Sequence, residues 1–192
     1  MNSPLLNNTL AAARTAGEII REHWRQPHDI HYKGRIDLVT QTDAAIEAHL
    51  HERLHDLLPE MGFMGEESAR SLLPDGDCWI VDPLDGTTNF VHGIPFVAVS
   101  IALWQGGMPR LGVVAMPMLN EYFYAEKGHG AYCNGQAIQV SQIARCERAL
   151  IATGSPMTLL RKKTASWNGS ELPCPNARVC AAAARPPQIW LT

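Results

Sequence analysis

The chain has no long apolar run, no excess of positive charge and no cysteine framework, and each absence removes a class of function. Its longest apolar stretch, residues 96–104, is nine residues long, whereas a bilayer-spanning helix needs about 20. Lys and Arg number 16 against 19 Asp and Glu, a net charge of −3, so no overall positive field recruits nucleic acid or an acidic membrane. Five cysteines, an odd number with no C-x-x-C spacing, argue against a disulfide scaffold. The first residues lack the basic, then apolar, then small-residue order of a secretory signal. What is present is a hydrophobic fraction of 46% in 192 residues, enough for a core and incompatible with a disordered, collagenous or coiled-coil chain. The expectation is a cytoplasmic protein with reduced thiols that binds neither nucleic acid nor membrane.

Charge is spread unevenly along the chain. Residues 1–154 hold 11 Lys+Arg and 18 Asp+Glu, while residues 155–192 hold five Lys+Arg and a single acid, Glu171. The last 38 residues also carry five of the 13 prolines. Composition therefore breaks near Gly154. Residues 1–154 read as a folded domain, and residues 155–192 as a tail with no periodic apolar face, expected to be poorly ordered.

Within the first 154 residues the hydrophobic period changes once. Leu6, Leu10, Ala13, Gly17 and Ile20 recur at three- and four-residue spacing and predict a helix over 5–24, with Ser3 as N-cap and Pro4 as first helical residue. Residues 29–40 read as extended and polar. Ile46, Leu50, Leu54, Leu57 and Leu58 line one face of a second helix, which Pro59 closes. After that the pattern turns to short β-rich runs. Residues 78–81 are an apolar strand delivering Asp82 at its end. Residues 96–104 and 111–116 flank the hairpin signal Gly106-Gly107, residues 122–125 continue the meander, and Asn134-Gly135 is a further turn before 138–140. Helices first and antiparallel strands after them predict a layered α+β fold, helices on an antiparallel sheet.

The chemistry is concentrated in Asp82-Pro83-Leu84-Asp85-Gly86-Thr87-Thr88-Asn89. Two carboxylates three residues apart on a turn can converge on one cation, with the Leu84 carbonyl between them as a third oxygen. Oxygen donors without Cys or His nearby favour Mg²⁺ over zinc. Gly86 permits close backbone approach, and the amides and hydroxyls that follow can hold a phosphate. The pair Glu66-Glu67 and the stretch around Thr40, Thr42 and Asp43 read by themselves as a surface acidic pair and a helix cap.

Taken in order, these segments resemble the inositol monophosphatase family of Mg²⁺-dependent, lithium-sensitive phosphatases. The likeness rests on Asp37-Leu38-Val39-Thr40 with Asp43, on Gly65-Glu66-Glu67, and on the run from Trp79 through Asp82, Asp85, Gly86 and Thr87 to Phe90. Val91-His92-Gly93-Ile94-Pro95-Phe96 and Gly128-His129-Gly130-Ala131-Tyr132-Cys133-Asn134-Gly135 extend it over about residues 5–154. The resemblance implies the N-terminal part of that family's α/β/α/β/α fold, with the C-terminal α/β domain missing. It implies Mg²⁺ held by Glu66, Asp82, the Leu84 carbonyl and Asp85. It assigns water orientation to Thr87 and Asp43 with help from Glu67, and phosphate binding to Gly86 and Thr87. It implies a small phosphorylated metabolite as substrate, inositol monophosphate first, with fructose-1,6-bisphosphatase, histidinol phosphatase and nucleotide 3′-phosphatase activities open. For full-length members the resemblance implies a homodimer, an expectation that does not carry over to this chain. The rival reading is a non-catalytic binding protein built on the same domain. Lys33 lies one residue out of place for a family lysine and is left out.

His51-Glu52-Arg53-Leu54-His55 matches the zinc-protease pattern H-E-x-x-H, but the two imidazoles fall about 100° round from the Leu50/Leu54 face and no third ligand follows at a suitable spacing. A zinc hydrolase is a distant third reading.

The tail has a separate explanation. The family continues past Ala152-Thr153-Gly154 with a sequence like Phe-Pro-Tyr-Asp, where this chain has Ser155-Pro156-Met157-Thr158-Leu159-Leu160-Arg161. The coding string TCC CCT ATG ACA TTG CTG AGx gives that heptapeptide; begun one nucleotide earlier, with T, it reads Phe-Pro-Tyr-Asp-Ile-Ala-Glu. Residues 184–192, for which GCA CGG CCG CCG CAG ATT TGG CTT ACG is one possible coding, yield in the same shifted frame Gly-Thr-Ala-Ala-Ala-Asp-Leu-Ala-Tyr, which resembles the family's Gly-Ser-Ala-Ala segment before its last metal ligand. The expectation is a single-base deletion near codon 155, a chain truncated with respect to the family and inactive or weakly active.

Overall fold

A computed structural model describes residues 2–26, 31–32, 38–66, 76–145, 148, 150–154 and 178–182. The chain divides into two compact units, the first ending at Ile138 and the second beginning at Gln139.

In the first unit, helix α1 spans Pro4–His23, with Ser3 accepting from the Leu6 amide as its N-cap. Strands β1 (His31–Tyr32) and β2 (Leu38–Val39) pair antiparallel. Helix α2 spans Gln41–Leu57 and opens with a reciprocal capping box between Thr40 and Asp43. Then come β3 (Gly62–Gly65), β4 (Cys78–Asp85), a one-turn helix α3 (Thr87–Val91), β5 (Ala98–Gln105) and β6 (Met108–Met116). A 3₁₀ turn at Pro117–Leu119 leads to β7 (Glu121–Glu126), β8 (Gly130–Cys133) and β9 (Gln136–Ile138).

Strands β3 to β9 form one sheet in chain order. Every pairing in it is antiparallel except β3 with β4, which is parallel. The expectation of helices layered on an antiparallel sheet holds for the six strands β4 to β9; β3, over Gly62–Gly65, is a seventh that the sequence reading did not mark, and it pairs in parallel. Four residues bracketed by glycines carry no legible period, and parallel pairing is a non-local event. The strand expected over 138–140 stops at Ile138, and Val140 is 93% exposed.

The periodic faces of α1 and α2 pack together and onto one face of this sheet. Leu6, Ala13, Ala16 and Ile20 of α1 and Ile46, Leu50 and Leu54 of α2 are fully buried, as are Trp79, Val81, Val99, Ile101, Leu103, Leu111, Val113 and Ala115 from the strands. At the C-terminal end of α1, Arg21 donates to the Pro117 carbonyl through Nη2 at 2.6 Å and through Nε at 3.2 Å, fixing the helix to the β6–β7 turn. His51 and His55 are exposed, their rings parallel and 6.3 Å apart, with His51 edge-on to Phe63 of β3 at 4.7 Å.

The second unit contains β10 (Leu150–Gly154) and β11 (Arg178–Ala182), paired in parallel from Leu150↔Arg178 to Gly154↔Ala182. Sequence periodicity gave no sign of β11. The other residues of 155–192 lie outside those described.

Candidate metal centre

The site grows from the end of β4. Cys78, Trp79 and Val81 are buried, and the register against β5 slips between Asp82 and Asp85. Pro83 lies within that slip, where a strand does best without an amide to donate. The irregularity brings two acids to one end of the strand. Asp82 Oδ1 accepts from the Leu84 amide at 3.2 Å, so its carboxylate turns back over the bulge.

Gly86 follows with φ 88°, in the left-handed region, and turns the chain into α3. A Cβ built there would fall 3.0 Å from the Phe96 carbonyl oxygen. Conformation and space thus both demand glycine. Gly86→Ala is expected to cost about 1–3 kcal/mol through backbone strain, measured as a lower midpoint in thermal unfolding; an unchanged midpoint would show that the turn relaxes freely.

Thr87 closes the turn. Its Oγ1 stands 3.0 Å from both Asp43 Oδ1 and the Leu84 carbonyl, and its single hydroxyl proton is donated to one of these acceptors at a time. The other oxygen of Asp43, Oδ2, accepts from the Thr40 amide at 2.9 Å and the Thr40 hydroxyl at 2.6 Å. One buried carboxylate thereby both caps α2 and fixes the Asp-Gly-Thr turn, across 44 residues of chain.

The acids at the strand end repel one another. Burial, then the charges of Glu66 and Asp85, push the Asp82 carboxyl up to about 7. Burial and Glu66 push Asp85 up to about 6. Glu66 is itself exposed, at the turn that follows β3.

The structure thus brings Asp43 to Thr87, and Asp82, Asp85 and Glu66 into one another's field. It does not bring them onto one point: among the described residues no three acidic, His or Cys side chains are close enough to hold an ion together. Glu67, with Asp37 and Lys33, lies outside the described residues.

The donor set nevertheless suits Mg²⁺. Three carboxylates and the Leu84 carbonyl are hard oxygen donors, no imidazole or thiolate is among them, and the burial and the repulsion that lift Asp82 and Asp85 are what a bound dication would offset. One further residue escaped sequence reasoning. Ser100 stands directly across the ladder from Asp82, 1% exposed, and its hydroxyl oxygen has no hydrogen-bond partner among the described residues. Its place within an apolar run concealed it.

An acidic strand end, a left-handed glycine and a threonine tied back to a helix carboxylate stand together on a layered α+β scaffold. The chain belongs to the inositol monophosphatase family, whose profile matches residues 1–171. Inositol monophosphatase 3 of Solanum lycopersicum is 45% identical over 152 residues, covering 77% of this chain and 57% of the relative. Inositol monophosphatase 1 of Homo sapiens is 40% identical over 153 residues, covering 77% and 55%. Among solved structures, the extragenic suppressor protein suhB of Bartonella henselae superposes with a TM-score of 0.74 at 40% identity, covering 81% of this chain and 61% of that one. The inositol monophosphatase of Thermotoga maritima gives 0.72 at 35% identity, covering 79% and 59%. The chain spans a little over half the length of the curated relatives it matches.

Proposed function

We propose that this chain carries the metal-binding half of a phosphomonoester hydrolase acting on a small phosphorylated metabolite, with inositol monophosphate as the first candidate substrate. The observation that carries the reading is the Thr87 hydroxyl, held by Asp43 and the Leu84 carbonyl beside the Asp82–Asp85 strand end.

Glu66, Asp82, Asp85 and the Leu84 carbonyl would hold Mg²⁺. When bound, Mg²⁺ lowers the pKa of a water ligand and neutralises charge on the phosphate and the leaving oxygen. The chain's own residues do the rest. Because Thr87 gives its proton to Asp43 or Leu84, its lone pairs are left to accept a hydrogen bond from water, which orients that water's oxygen. Asp43, fixed from both sides by Thr40 and Thr87, holds this arrangement rigid. Glu67 assists in taking the proton. Gly86 leaves room for the phosphate to approach the main chain, and Thr87 serves as its second contact. The water oxygen bonds to phosphorus, the ester P–O bond breaks, and the leaving alkoxide takes up a proton.

The test is phosphate release from inositol monophosphate, with Mg²⁺ and with chelator. Mg²⁺-dependent release supports the reading. Release that chelator does not affect, or that only zinc supports, refutes it. Fructose 1,6-bisphosphate, histidinol phosphate and a 3′-nucleotide assayed beside it decide the substrate class. Thr87→Val is expected to lower kcat about 10²-fold or more, and Thr87→Ser to restore most of it, since only the hydroxyl is needed.

A further inference from the structure

Asp43 has a neighbour one turn along α2. Glu47, at i+4, projects from the same stripe of the helix. Its carboxylate lies against Gly65, the last residue of β3: a Cβ built on Gly65 would fall 2.9 Å from Glu47 Cδ, 2.9 Å from Oε2 and 3.1 Å from Oε1. Gly65 is buried and is not among the glycines with positive φ, so its conformation does not call for glycine. An added methyl there would make the Glu47 carboxylate, the far end of a flexible side chain, shift.

The position of this contact matters. Gly65 pairs with Val81 in the parallel ladder; the next residue on one strand is Glu66 and on the other Asp82. The Glu47 carboxylate therefore lies against β3 at the point where that strand ends and the turn bearing Glu66 leaves the sheet, beside Asp82 of β4. Asp43, one turn away, holds Thr87.

We propose that Glu47 is a positioning residue for the metal centre: acting through Gly65, it sets where Glu66 leaves β3. With Asp43 it makes α2 the common mount for both sides of the centre, the turn bearing Glu66 and the turn bearing Thr87. This rests on reading Glu66, Asp82 and Asp85 as ligands of a divalent cation. Glu47 acts by contact and reach, not by adding charge, and the two roles separate by substitution. Glu47→Gln keeps length and shape while removing the charge. Glu47→Asp keeps the charge and withdraws the head group by one methylene.

The experiment is Mn²⁺ titration of the 192-residue chain, following free Mn²⁺ by electron paramagnetic resonance, with thermal unfolding in chelator as a check on folding. Glu47→Asp is expected to weaken Mn²⁺ binding roughly tenfold, the order of loss when support behind a metal ligand is removed, and Glu47→Gln to stay within about threefold of wild type. Gly65→Ala is expected to weaken binding as Glu47→Asp does. Glu47→Ala combined with Gly65→Ala is expected to recover part of that loss, because the added methyl then has space. Any other ranking of the Asp and Gln variants overturns the proposal. Glu66→Gln serves as the control. If Glu66→Gln weakens Mn²⁺ binding and Glu47→Asp does not, only the role of Glu47 fails; if wild type binds no Mn²⁺, or Glu66→Gln binds as well as wild type, the metal-centre reading fails and takes this proposal with it.

Discussion

Asp82→Asn is expected to make the metal-free protein more stable at pH 8 and to abolish most of what Mg²⁺ adds. Asp82 and Asp85 have carboxyls raised to about 7 and about 6 by burial and by neighbouring charge. A carboxyl raised on folding binds its proton more tightly in the folded chain. Its stabilising contribution is complete below the ordinary value of 3.8 and is lost as pH rises through about 7. At pH 8 the folded state therefore carries ionised, mutually repelling acids. The asparagine cannot ionise, so its unfolding midpoint in chelator should exceed wild type at pH 8 by roughly 3–6 °C, equivalent to about 1–2 kcal/mol, and the gap should narrow at pH 5. A divalent cation binds only the ionised form. Mg²⁺ should thus raise the wild-type midpoint at pH 8 far more than at pH 5, and barely move the variant, whose affinity should fall at least tenfold. A variant that is less stable than wild type in chelator, or that gains as much from Mg²⁺, would show that Asp82 is a structural acid and no ligand.

That trade of stability for binding explains which parts of the site were legible in the sequence. Asp82, Asp85, Gly86 and Thr87 sit within six residues, so strand end, turn and donor set could be read together. Helices α1 and α2 were equally plain, because Leu6, Leu10 and Ile20, and Ile46, Leu50 and Leu54, repeat at the helical period and are all buried. Asp43 was only half legible. Its capping of Thr40 is local, whereas its bond to Thr87 spans 44 residues. Glu47 could not be read at all: between Ile46 and Leu50 it is an ordinary polar position of a helix, and its meaning comes from Gly65 on another element. The same holds for β3, whose partner is supplied by the fold, and for Ser100, placed opposite Asp82 by the strand register.

The largest expected effect concerns residues 155–192. Restoring one nucleotide before codon 155 is expected to turn a chain with little phosphatase activity into one with Mg²⁺-dependent turnover at least 10²-fold higher. The physical ground is charge. Residues 1–154 carry Glu66, Asp82 and Asp85, while the residues from 155 onward contain one acid, Glu171, against five Lys and Arg. In the shifted frame one possible coding gives Phe-Pro-Tyr-Asp and, later, a Gly-Thr-Ala-Ala-Ala-Asp run, which would add aspartates to these acids. An added carboxylate supplies both charge and a coordination position, and sharper coordination raises turnover more than it raises substrate binding. The measurement is phosphate release by the two polypeptides side by side, with sequencing of the gene across codon 155. In the restored chain Asp85→Asn should remove most of the activity. Robust Mg²⁺-dependent turnover by the 192-residue chain, matching the restored one, would show that residues 1–154 suffice for chemistry and that the shifted frame adds nothing to it.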